Sequence, residues 1–158
     1  MPAYARVPVV TWEVKVELER ALVRRHSVRS FCGRPVEREV LERVVQAFGG
    51  APSARNAQPL RLRVVREQSL RQRLQSAYRG GWLSEAPVVL VVSGVAREAW
   101  VRRDGVSYLL CDAAIATDQA VLQATALGLG SCWIAAFDAE GVREALSMPP
   151  EEAPLLLV

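Results

Sequence analysis

Three guanidiniums and a hydroxyl fall within six residues, Arg24-Arg25-His26-Ser27-Val28-Arg29, beside an apolar helical stretch. A second polar cluster, Pro52-Ser53-Ala54-Arg55-Asn56-Ala57-Gln58-Pro59, holds the chain's only asparagine between prolines. Arginine makes forked contacts to phosphate, each charge-assisted bond contributing about 1.5–3 kcal/mol net. Ser27 adds a small donor that permits close approach. Asn56 carries both a donor and an acceptor, which suits the alternating N–H and C=O edge of a pyrimidine-like ring. Together the segments offer a phosphate clamp and partners for a flat heterocycle, the two ends of a flavin nucleotide. Each also has a plain reading. Arginines at a helix C-terminus are favoured by the macrodipole, and Ser53 and Asn56 between prolines build ordinary turns.

Other chemistries find less support. Cys32, Cys111 and Cys132 are odd in number, far apart and without a CxxC pair. That argues against a disulfide framework or a zinc site and for a reducing, cytoplasmic setting. Cys111 and Cys132 lie among apolar residues and read as inert core thiols. A thiol nucleophile needs a base, and His26 is the sole histidine. Gly128-Leu129-Gly130-Ser131 follows a helix rather than opening one, so it reads as a helix end and not a dinucleotide loop. No side-chain nucleophile and no metal site are expected.

The net charge of +3 is carried almost wholly by arginine, with Lys15 the lone lysine. Arg61, Arg63, Arg66, Arg71, Arg73 and Arg79 can be read as a nucleic-acid stripe. They lack interleaved aromatics, however, and Arg61 and Arg63 alternate with Leu60, Leu62 and Val64 as on a solvated strand face. The apolar run over residues 106–127 is broken by Asp112, Asp118, Gln119 and Gln123, so no membrane span is expected. The start of the chain lacks the pattern of a secretory leader.

The elements that must position the two segments follow from periodicity. A helix is expected from Thr11 to about Arg25, and a second from Glu37, after Pro35, to Gly49-Gly50. An alternating strand over 60–65 follows, then a short helix from Ser69 and a continuous apolar strand over 87–93, buried on both faces. A long helix over about 107–127 closes at Gly128. Residues 131–135 and 154–158 read as strands, with Asp138 capping a short helix between them. With 158 residues, 51% of them apolar, one domain (1–158) is expected, an α+β fold with a mixed β-sheet flanked by helices. The long central helix is apolar around most of its circumference. One sheet covers only one face of it, so a second subunit is expected to cover another, giving a homodimer.

With these pieces in place, the chain resembles the FMN-dependent nitroreductases. The matching segments are Arg24-Arg25-His26-Ser27-Val28-Arg29-Ser30-Phe31, the 52–59 cluster, and Gly128-Leu129-Gly130-Ser131-Cys132-Trp133-Ile134-Ala135-Ala136-Phe137-Asp138. Their order and spacing fit from about Glu17 onward. The resemblance implies a nitroreductase-like homodimer with FMN at the subunit interface. It places Arg24, Arg25, Ser27 and Arg29 at the first FMN-binding positions, and Pro52, Ser53, Ala54 and Asn56 on a loop that packs on the flavin of the partner subunit. Ile134, Ala135 and Ala136 fall on the segment whose backbone lies beside the reactive flavin nitrogen. The implied activity is ping-pong hydride transfer from NAD(P)H through FMN to a small electron acceptor such as a nitroaromatic or quinone, without a catalytic side chain. A flavin-binding, degenerate member without NAD(P)H turnover is the alternative. Members of the family carry a basic tail after the last strand, whereas this sequence stops at Val158, so a lighter grip on the phosphate is expected. Ala135-Ala136 replaces the glycine-containing pair often found there, which requires an unstrained backbone.

Overall fold

A computed structural model describes residues 18–158. Its organising element is β2 (Val89–Val95), an apolar run in which every residue is buried. β1 (Leu60–Val65) and β3 (Glu152–Leu157) pair with it on either side, both antiparallel, in the order β1-β2-β3. Alternation along β2 sends its side chains into two cores. Val89 and Val91 join Leu74, Val142 and Leu157, whereas Leu90 and Val92 join Leu41, Val44 and Ala120. Each fully enclosed valine or leucine contributes about 1.5–3 kcal/mol, so a strand feeding both cores is worth more than one with a wet face.

Helices cover both faces. α2 (Arg38–Gly49) and α4 (Leu109–Ala126) supply the second core; α3 (Gln68–Ser76) and α5 (Ala139–Leu146) supply the first. α1 (Leu18–Arg24) packs on α4, and the part of the expected first helix before Leu18 lies outside the described residues. α5 starts where the sequence indicates, since the Asp138 carboxylate accepts the Glu140 N–H at 3.2 Å. α4 ends in a Schellman closure. Gly128 sits at φ +80°, its N–H reaches the Thr125 carbonyl, and the Leu129 N–H reaches that of Ala124 at 2.9 Å.

The α+β class is as expected, and three of the sequence-level readings change. The sheet is antiparallel; parallel pairing among the described residues is confined to the bridge between Ser27 and Ser131. Residues 131–135 form no strand, because Ser131 pairs with Ser27 while Ile134 pairs antiparallel with Leu157. A segment that changes partner within three residues cannot build a ladder. Arg63 is half-buried and engaged rather than a free solvated arginine: it donates to Ser93 Oγ at 3.0 Å and to the Glu152 carboxylate, which Ser93 also contacts at 3.0 Å. One residue from each strand thus meets in a single polar knot. The Arg63 hydrogen bond holds the Glu152 carboxyl below its ordinary range, against the opposing effect of burial. Arg61 pairs with Glu98, and Arg71 donates to the Ser84 and Ala86 carbonyls. The arginine stripe is in large part structural.

Candidate functional site

The first and third segments meet at the C-terminal end of α4. The Arg25 N–H closes on the Ala21 carbonyl, ending α1, and the Val28 N–H then donates to the Ser131 carbonyl at 2.9 Å. Gly130 makes this contact possible: a Cβ there would stand 2.9 Å from the Val28 side chain. Arg24, Arg25, Ser27 and Arg29 are all exposed. Among the described residues the three arginines join no ion pair. His26 Nδ1 lies 2.9 Å from the Arg24 carbonyl, the arrangement of an Nδ1–H donor, which fixes the ring to the backbone.

Beyond Cys132 the third segment divides. Ile134 is buried, and its N–H and C=O are both taken by Leu157 at 2.8 and 3.0 Å. Its backbone is therefore committed to β3. Ala135 and Ala136 are exposed, and among the described residues neither N–H has a partner. Neither adopts positive φ, so the backbone is unstrained with alanine in place. This end offers three exposed arginines and, farther along the third segment, two N–H donors without a partner among the described residues.

The second segment lies elsewhere. It begins after α2 and turns through a short 3-10 stretch, Ala54–Asn56. Ser53 Oγ accepts the Gln58 N–H at 3.0 Å, so this hydroxyl serves the turn, as the plain reading holds. Arg55, Asn56 and Gln58 all adopt left-handed φ, at 54°, 56° and 51°. None is glycine, and each such residue costs of order 1 kcal/mol or more. The Asn56 side chain is exposed and has no hydrogen-bond partner among the described residues. The loop is held from below by Asp112, whose Oδ1 accepts the Ala54 N–H at 2.9 Å.

Asp112 lies in the first turn of α4, and Gly128 just past its end. At 1.5 Å per residue the two stand about 24 Å apart. A single chain therefore does not bring the arginine segment and the Asn56 loop together. On α4, Leu110 in the first turn and Ile115 farther along remain exposed, and on adjoining α1 so do Leu18, Leu22 and Val23, with Val23 at 86% and Leu110 at 66%. Cys111 is exposed beside Leu110 and is not a core thiol, whereas Cys132 is buried as expected.

Two cavities lie close to these segments. One, of about 330 Å³, is walled by Phe31, Trp82, Val121, Gly130 and Cys132, with Arg34 among its lining. It adjoins the first and third segments yet touches none of Arg25, Ser27, Arg29, Ala135 or Ala136. A second, of about 100 Å³, is lined by Pro52, Ser53 and Gln58.

Comparison with known proteins places this architecture. A nitroreductase family protein of solved structure from Clostridium difficile matches with a TM-score of 0.82 and 34% identity, over 87% of this chain and 79% of that one. The NADH dehydrogenase of Thermus thermophilus is 30% identical across 87% of this chain and 82% of its own length. The FMN reductase (NAD(P)H) of Bacillus subtilis is 28% identical, over 88% of this chain and 63% of its own length. The class is thus that of the nitroreductase fold. The sequence profile of the nitroreductase family matches residues 22–85 and 76–158, and the chain belongs to that family.

The residues present suit a flavin mononucleotide. Three exposed arginines without a carboxylate partner among the described residues fit a phosphate, and two N–H donors likewise unpartnered there fit acceptor nitrogens or oxygens of a heterocycle. Sequence reasoning missed Asp112, which it treats as an interruption of an apolar run. A carboxylate in the first turn of a buried helix was the available signal.

Proposed function

We propose that this chain, read as one domain over 1–158, is an FMN-dependent NAD(P)H oxidoreductase that works as a homodimer, each flavin held by groups from both subunits. The observation that carries this reading is the separation along α4. The anion clamp and the Asn56 loop lie at opposite ends of one helix, with an exposed apolar face between them. A second copy packed on that face covers apolar surface otherwise left to water. Arranged about a twofold axis, it brings its loop to the first chain's clamp.

Arg24, Arg25 and Ser27 hold the phosphate and its sugar-like chain, and Arg29 lends positive charge toward the ring. Pro52, Ser53, Ala54 and Asn56 of the other subunit wall the ring, with Asn56 addressing its polar edge. Ala135 and Ala136 offer N–H donors to the ring, and Ile134, whose backbone is tied to β3, fixes where those donors point. When bound between these groups, FMN would supply the redox chemistry of a ping-pong hydride transfer from NAD(P)H to a small acceptor such as a nitroaromatic or quinone. No side-chain nucleophile is needed.

The test is the visible spectrum of the purified protein, with and without added FMN, before and after NAD(P)H. A flavin band that appears with FMN and bleaches with NAD(P)H is expected. A band that NAD(P)H leaves intact removes turnover and leaves flavin binding alone. Protein that binds no FMN overturns the site.

A further inference from the structure

Asp112 is 2% exposed, and its carboxylate is used unevenly. Oδ1 accepts the Ala54 N–H at 2.9 Å across 58 residues of sequence. Oδ2 is buried and finds no donor among the described residues. A buried carboxylate oxygen without a donor carries a desolvation cost. A side chain of similar size without that liability, such as leucine, would suit a core position better on stability alone. The position bears its carboxylate where the neighbouring backbone is least relaxed: the Ala54 N–H opens the stretch whose next residues, Arg55 and Asn56, both stand in left-handed conformations. Strain of this kind persists only where surrounding contacts over-determine it. The bond to Asp112 is a tether from the loop to the helix, and Ser53 Oγ to the Gln58 N–H closes the other side.

We infer that Asp112 is a positioning residue for the flavin: it pins the 3-10 stretch so that Asn56 is presented in one orientation. This rests on the reading of the 52–59 loop as a flavin contact. The bond requires an acceptor at Oδ1 but no charge, and Oδ2 has no partner to lose. Asparagine should therefore replace aspartate here, and alanine should not.

The experiment compares FMN affinity by fluorescence titration with hydrogen exchange at the Ala54 amide in the full chain. Asp112→Ala is expected to raise the FMN Kd about tenfold, the equivalent of one lost hydrogen bond, and to speed Ala54 exchange by a similar factor. Asp112→Asn should stay within about twofold of the parent in both. A general loss of stability would not discriminate among ligand contacts, so coupling decides. Combined with Asn56→Ala, Asp112→Ala should add almost nothing, because both remove the same contact; combined with Arg25→Ala, the losses should multiply. Should Asp112→Ala fail to fold, Ala54→Pro removes the donor from the loop side. Ser53 is extended and Ala54 helical, as proline and its predecessor require, and the same loss of affinity is expected. Unchanged affinity and exchange in folded Asp112→Ala overturn the inference, as do losses additive with Asn56→Ala. A parent protein that binds no FMN overturns the flavin reading instead, and Ala54 exchange then decides by itself whether the tether exists.

Discussion

The two ends of α4 hold their proposed flavin-binding groups in opposite ways. At the C-terminal end the backbone is relaxed and positioned by pairing: Val28 on Ser131, Ile134 on Leu157, and Gly130 leaving room for Val28. At the N-terminal end the backbone is strained, with three non-glycine residues at positive φ and a buried carboxylate beneath. A clamp for a phosphate needs charge more than exact placement, because Coulombic attraction falls off slowly with distance. A hydrogen-bonding edge needs direction, since such bonds weaken steeply off axis. The end that must aim a side chain is the end where the fold stores strain.

This contrast can be broken at several points. Ile115→Glu places a charge on the exposed apolar face of α4 between the two ends. It should convert the proposed dimer to monomer in light scattering and abolish measurable FMN binding; a monomer that still holds FMN would show that one chain completes the site. Arg25→Ala comes next. Loss of one charge-assisted phosphate contact should raise the FMN Kd about 10- to 100-fold with little change in Tm, as titration and calorimetry would record. Gly130→Ala tests the relaxed end by geometry rather than charge. Its Cβ displaces Val28 and the flanking Ser27 and Arg29, and should weaken FMN several-fold while lowering Tm by about 3–8 °C.

Glu152→Gln lies at neither end and calibrates the rest, so FMN affinity should be unchanged. Its pH dependence has a definite sign. The carboxyl is depressed by Arg63 in the folded state. Its stabilisation is therefore present above the ordinary glutamate pKa of about 4.3 and is lost as pH falls through the lower folded value. Parent and variant should differ by a few degrees in Tm at neutral pH and converge in acid below about pH 4. Equal melting at neutral pH would show that the three-strand knot contributes nothing.

Local chemistry made much of this fold legible. α2 follows from Leu41, Val44 and Phe48 at helical spacing, α5 from Asp138, and β1 from alternation. The end of α4 follows from Gly128, where positive φ is needed. What stayed hidden depends on distant partners. Residues 131–135 look like a strand but switch partners midway. Cys111 looks like core because its neighbours are apolar, yet among the described residues it stands exposed on α4. Asn56 is of a type that tolerates left-handed backbone, but Arg55 and Gln58 give no sign of it; the bond that holds this stretch comes from Asp112, 58 residues away from Ala54. Of the candidate site, the residue types could be read in order, but not that α4 would hold them apart.

The register of β3 has a further consequence. Its pairing with β2 slips between Val92 and Ser93, so that Leu155 is the extra residue, next to Pro154, which has no N–H to donate. Farther along, Leu157 is already engaged by Ile134, while β1 on the other side carries Arg61 and Arg63. An open three-stranded sheet invites strands from other molecules to join its edges. Here one edge is bulged, proline-bearing and partly occupied, and the other is charged, so the sheet is protected against templated aggregation even while a broad apolar face on its helices stays available for assembly.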